Sequence, residues 1–157
     1  MNKIAVFADV QNIYYTTREA YQRQFNYRAL WQTIAKHGEI VIAYAYAIDR
    51  NDDKQRKFQS TLEKIGFTIK LKPYIQRSDG TAKGDWDVGI SIDVMDCAKE
   101  VDTVILLSGD GDFDLLLERI KTNYAVNTEV FGVPSLTANS LINACSVFHP
   151  IEDSLLL

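Results

Sequence analysis

Long apolar runs are missing from this chain of 157 residues. None approaches the roughly 20 residues that a membrane-spanning helix requires, so no membrane partner is expected. Cysteine is scarce: Cys97 and Cys145 stand 48 positions apart without paired-ligand spacing, and read as buried thiols in a reducing cytosol. The prolines form no linker, no segment is of low complexity, and no repeat divides the sequence. The opening Met1-Asn2-Lys3-Ile4-Ala5-Val6 runs straight into a strand pattern, so neither a signal nor a transit peptide is expected and the expected location is cytoplasmic. G-x-x-x-x-G-K-[ST] is absent, which sets aside a P-loop NTPase. Ala8-Asp9-Val10-Gln11-Asn12 stands where a dinucleotide fold would carry G-x-G-x-x-G, and no G-x-S-x-G elbow offers a serine nucleophile.

What is present is ordinary for one globular domain spanning 1–157, with 46% apolar and 24% charged residues and a net charge of −4. A chain of this size buries about two-thirds of its unfolded surface and needs no disulfide or zinc staple. The charge is unevenly spread. From Lys54 to Lys83 eight bases face two acids, a net +6, whereas from Asp85 to Glu118 ten acids face one base, a net −9. An acid run is most often a solvated face, and its place in the fold must decide otherwise.

Strand and helix patterns alternate throughout. Strands are expected over 3–8, 40–48, 67–71, 103–107, 126–131 and 147–148. Helices are expected from about Tyr14, then over 28–36, from Asp52 to Ile65, and over 87–100, 112–122 and 138–144. A polar loop holding the Asp79-Gly80 turn dipeptide is expected from Gln76 to Lys83. Such alternation predicts an α/β fold: a three-layer sandwich, Rossmann-like, with a mainly parallel sheet between helices.

Open parallel sheets bind ligands beyond the carboxyl ends of their strands. Asp9 follows the first strand, Asp49 the second, and Ser108-Gly109-Asp110-Gly111-Asp112 the fourth, so three strands deliver carboxylates to one rim. In the helix from Asp87, Val88, Ile90, Ile92, Val94, Met95, Ala98 and Val101 cover a wide apolar arc, with Gly89, Asp93, Asp96 and Glu100 in a narrow strip. That helix is expected to be nearly all buried. Asp87 at its start reads most plainly as an N-cap; Asp93 lies too far in to cap anything and needs solvent, a base or a metal, the only flanking base being Lys99. Clustered carboxylates repel unless a cation neutralises them, and oxygen-only ligation selects Mg²⁺ or Mn²⁺. Such clusters serve phosphoryl chemistry. His37 and His149 fall outside every motif.

Three segments carry a family resemblance. Phe7-Ala8-Asp9-Val10-Gln11-Asn12 resembles the F-x-D-x-x-N opening of the NYN-domain family. Lys83-Gly84-Asp85-Trp86-Asp87-Val88-Gly89-Ile90-Ser91-Ile92-Asp93 is similar to its K-G-x-D-V-x-[LI]-x-x-D helix, and Ser108-Gly109-Asp110-Gly111-Asp112-Phe113 to its S-G-D-x-D-F turn. They stand in the family's order and frame residues 4 to 131, resembling the LabA-like branch of the PIN-like nuclease superfamily. The resemblance implies a metal-dependent ribonuclease with Asp9, Asp87, Asp93, Asp110 and Asp112 as the acidic set, of which Asp9, Asp93, Asp110 and Asp112 would hold Mg²⁺ or Mn²⁺. Asn12 would orient Asp9 or bond the substrate backbone, and Asp114 is a weaker candidate. Two residues separate Lys83-Gly84 from Asp87 where many members have one; either Asp85 or Asp87 then points into the site, and the six-residue spacing to Asp93 favours Asp87.

RNA is the expected partner. Lys70, Lys72, Arg77 and Lys83 offer a basic rim, with Tyr74 and Trp86 available to stack bases. The plainer alternatives are solvated lysines, Lys83 as an ordinary loop residue, and Trp86 as a core anchor, which is the favoured reading for Trp86. Tyr14 and Tyr15 lie close enough to Asn12 to meet a nucleotide, though core packing competes for at least one; Ser108 joins the substrate contacts. A non-catalytic RNA- or protein-binding regulatory module is the alternative function, and a small-ester phosphohydrolase a third. The fold admits a homodimer, which no pattern specifies. Leu155-Leu156-Leu157 can pack back, bind a partner or stay exposed.

Overall fold

The computed structural model describes residues 1–73, 75–76, 82–83 and 85–157, with side chains described for 1–72 and 85–157. The strands in chain order are β1 (Lys3–Asp9), β2 (Glu39–Asp49), β3 (Thr68–Pro73), β4 (Ile75–Gln76), β5 (Ala82–Lys83), β6 (Thr103–Leu107), β7 (Asn127–Gly132) and β8 (Val147–Pro150). The helices are α1 (Val10–Tyr21), α2 (Tyr27–Ala35), α3 (Asp53–Ile65), α4 (Asp87–Ala98), α5 (Asp114–Tyr124) and α6 (Asn139–Ala144).

β1 is buried from Ile4 to its end, as a strand covered on both faces must be. It pairs parallel with β2 on one side and with β6 on the other, in the order β3-β2-β1-β6-β7-β8 with every pair parallel. Alternate residues of β1 feed two cores. Ile4, Val6 and Ala8 pack with residues of α1, α2 and α3; Ala5 and Phe7 pack with those of α4, α5 and α6. The expected α/β sandwich is therefore present, with an entirely parallel main sheet.

Several local expectations are corrected. The first helix starts at Val10 rather than near Tyr14, because the Asp9 side chain accepts the Asn12 amide and caps it. A 3₁₀ turn over Gly111–Phe113 precedes α5, which runs on to Tyr124. Where a loop was expected after β3, β4 and β5 pair antiparallel; the Asp79-Gly80 turn lies outside the described residues. Cys97 and Cys145 are free but only half-buried, and burial pushes both thiols up. Among the described residues no helix is long and apolar enough to cross a membrane.

Helix α4 is not nearly all buried. Ile90, Val94 and Ala98 face the core, whereas Val88 is 70% and Ile92 57% exposed. The apolar arc is wider than the strip of sheet available to it, and three residues spaced by four fill that strip. The C-terminal leucines pack back: Leu155 and Leu156 are buried, Leu156 bridges to Phe25, and the Leu157 amide bonds the Gln24 carbonyl at 2.8 Å. Arg23 fastens this segment through Asp153 and the Leu157 carbonyl.

Candidate metal centre

β1 and β6 are adjacent in the sheet, but the helices that follow them leave on opposite faces. At that switch the carboxyl edge of a doubly wound sheet opens into a crevice. Asp9 ends β1 and lies 8% exposed. Its Oδ2 accepts the Ser108 hydroxyl at 3.1 Å and its Oδ1 the Asn12 amide at 3.4 Å. Burial pushes its carboxyl up to about 6; the bonds from Asn12 and Ser108 pull against this, while the charges of Asp110 and Asp85 add to it.

Ser108 follows β6 and is fully buried, its Oγ accepting the Asp110 amide at 3.1 Å. The Asn12 Oδ1 accepts the Gly109 amide at 2.9 Å, so the Asn12 side chain ties α1 to this turn while its own amide steadies Asp9. Glycine is required at 109 for space: a Cβ there would stand 2.6 Å from the Leu136 carbonyl oxygen. The Asp110 Oδ1 in turn accepts the Asp112 amide at 2.9 Å, which coils the chain into the 3₁₀ turn and brings both carboxylates to one side.

Asp87 comes from the first turn of α4. It is not the cap, since Trp86 holds that position and the Asp85 Oδ1 lies 3.3 Å from the Asp87 amide. Carboxylate oxygens of Asp87, Asp110 and Asp112 all lie within 4.8 Å of one another. The Asp87 carboxyl is pushed up to about 7, first by burial, then by a bond and repulsion from Asp110, then by Asp85 and Asp9. Without a cation, the Asp87 carboxyl therefore holds its proton more tightly than a free one. The ion pairs Lys70–Asp93, Arg23–Asp153, Arg56–Asp53 and Glu129–His149 leave all three carboxylates out. Three oxygen donors with no base paired to them among the described residues are the donor set of a hard divalent cation. Asp87 and Asp112 also edge an apolar cleft of about 590 Å³ lined by Val88, Ile92, Met95 and Phe113.

Of the residues singled out from sequence, Asp9, Asp87, Asp110, Asp112, Asn12 and Ser108 meet here. Asp93 does not join the trio: its Oδ2 accepts the Lys70 ammonium at 2.6 Å and the Tyr46 hydroxyl at 2.7 Å. Of the three partners left open for Asp93, solvent, a base or a metal, the structure supplies a base, and it comes from β3 rather than from the flanking Lys99. Asp49 turns back to its own chain, accepting the Asn51 amide at 2.9 Å, and Asp114 accepts the Leu115 amide at 2.6 Å. Tyr14 and Tyr15 are both about half-exposed, so the core claims neither. Trp86 is a half-buried anchor, its Nε1 donating to the Ala47 carbonyl at 2.9 Å and its ring lying 4.5 Å beneath the Lys72 ammonium. Tyr74 and Arg77 lie outside the described residues, as does the side chain of Lys83. His149 bonds Glu129 at 2.6 Å and stacks on Phe131.

Residues 3–152 match the NYN domain family. The chain belongs to it. NYN domains are PIN-like and generally nucleases that bind RNA and depend on a metal, and the acids assembled here occupy the three motif segments of that resemblance. The chain is 28% identical over 163 residues to the "Low amplitude and bright protein LabA" of Synechococcus elongatus, covering 97% of this chain and 85% of LabA. It also resembles the crystal structure of a protein of unknown function from Vibrio parahaemolyticus, at 53% identity and a TM-score of 0.95, over 99% of this chain and 96% of that one.

Proposed function

We propose that this NYN protein is a metal-dependent ribonuclease that hydrolyses RNA phosphodiester bonds, the whole chain working as one domain. The observation that supports this most is the convergence of Asp87, Asp110 and Asp112 at the sheet's switch point, with their charge unpaired by any of the ion pairs above. These three, backed by Asp9, would hold Mg²⁺ or Mn²⁺. When bound, such an ion supplies positive charge to the scissile phosphate and lowers the pKa of a water nucleophile. The chain's own part is placement. Ser108 and Asn12 hold Asp9 and the 108–112 turn in fixed geometry, and Asp87, whose carboxyl burial pushes up, must lose its proton for the trio to act as three anions. Tyr14 and Lys72, together with Arg77 and Lys83, are assigned to the RNA strand.

The test is cleavage of a labelled single-stranded RNA in Mn²⁺ or Mg²⁺ by wild type and Asp110→Asn. Removal of one of three clustered carboxylates is expected to lower the rate by at least about 100-fold, with wild-type cleavage abolished by EDTA. Equal cleavage by both proteins would place the chemistry elsewhere. RNA binding without cleavage by either would favour a non-catalytic RNA-binding module.

A further inference from the structure

We infer that Asp93 is a positioning residue: clamped by Lys70 and Tyr46, it fixes the register of α4 on the β2–β3 edge and so holds Asp87 against Asp110 and Asp112. This inference rests on the metal-site reading for its function, but its geometry stands apart. One oxygen of Asp93 takes both donors, Lys70 at 2.6 Å and Tyr46 at 2.7 Å. Tyr46 and Lys70 are lateral partners in the parallel pairing of β2 with β3, so their side chains leave the sheet on the same face and converge on one point of the helix. The Lys70 ammonium also lies 4.2 Å from the Tyr44 ring centroid, which fixes it from below. A cation approaching Asp93 would meet the positive charge of an ammonium already seated on it.

The helix needs such a pin. Its core contact is the narrow row Ile90, Val94 and Ala98, which resists a slide or roll poorly. Asp93 lies six residues beyond Asp87, about 9 Å along the axis. A slip of one residue would turn Asp87 by about 100° and remove it from the trio. Trp86 on Ala47 and Lys72 on the Asp85 carbonyl, at 3.2 Å, hold the helix entry; Asp93 holds its middle.

The test titrates Mn²⁺ by calorimetry into the full chain as wild type, Asp93→Asn, and Asp93→Asn combined with Lys70→Gln. Asp93→Asn is expected to weaken binding about tenfold with unchanged stoichiometry, and the double variant, whose two amides can re-form a neutral bond, to return within about threefold of wild type. A double variant as weak as Asp93→Asn overturns the inference, because a ligand carboxylate is missing from both. If wild type takes up no Mn²⁺, the metal-site reading fails, and amide hydrogen exchange decides the positioning role. Exchange within α4 is expected to rise at least about fivefold over that of α5 in Asp93→Asn and in the charge-conserving Tyr46→Phe, and to recover in the double variant. Unchanged α4 exchange in both single variants overturns it.

Discussion

Asp9 accepts two hydrogen bonds and still titrates near 6, because burial outweighs both donors. Its folded pKa lies above the ordinary 3.8, so the folded state binds the proton more tightly than the unfolded chain does. The stability this contributes is complete below about pH 4 and is lost as pH rises through about 6; Asp87 acts in the same sense up to about 7. For Asp9 alone the loss is roughly 3 kcal/mol. In EDTA the melting temperature is therefore expected to fall between about pH 4 and pH 7, and less steeply in Asp9→Asn. With saturating Mg²⁺ or Mn²⁺ the fall should flatten, since the cation takes the proton's place and binds only the folded arrangement. A wild-type melting curve indifferent to both pH and cation would contradict this account. The same residue shows what sequence could convey: Asp9 was legible from its place after an apolar strand, while its capping of α1 was not, because a cap is a matter of backbone angle.

At the scale of the element, α4 separates what periodicity conveys from what it cannot. Its length and acids were legible, but its apolar residues outnumber the contacts that the sheet provides, and which of them are buried depends on how far the helix is rolled. Ile90→Ala is expected to cost about 2–4 kcal/mol in urea denaturation, whereas Ile92→Ala should stay within about 0.5 kcal/mol. Equal costs would mean that the helix is rolled differently. The strands were more readable, since an apolar run such as Ile4–Ala8 suits burial on both faces whatever its neighbours are. The ion pair of Asp93 with Lys70 was illegible: it joins residues 23 positions apart through the register of β2 on β3, which no local pattern encodes. Nor could three terminal leucines announce that Arg23 and Phe25 would receive them.

Across the whole molecule, a basic third of the sequence precedes an acidic third, and the net charge of −4 conceals both. A polyanion meets the acids at the switch point with repulsion unless cations intervene. Under the proposed function, filter retention of a cleavage-resistant phosphorothioate RNA by Asp110-intact protein is expected to be at least about tenfold higher in Mn²⁺ than in EDTA at constant ionic strength. Retention that ignores Mn²⁺ would move the RNA surface away from the acids. The sheet order has a consequence of another kind. β1 is made first, is apolar throughout its middle, and sits at the centre of the sheet, yet its partner β6 begins only at Thr103. At about 5–20 residues per second, the ribosome leaves one edge of β1 without its mate for roughly 5–20 s. During that interval the segment that will be most deeply enclosed is the nascent chain's stickiest part, and the natural hold for a chaperone.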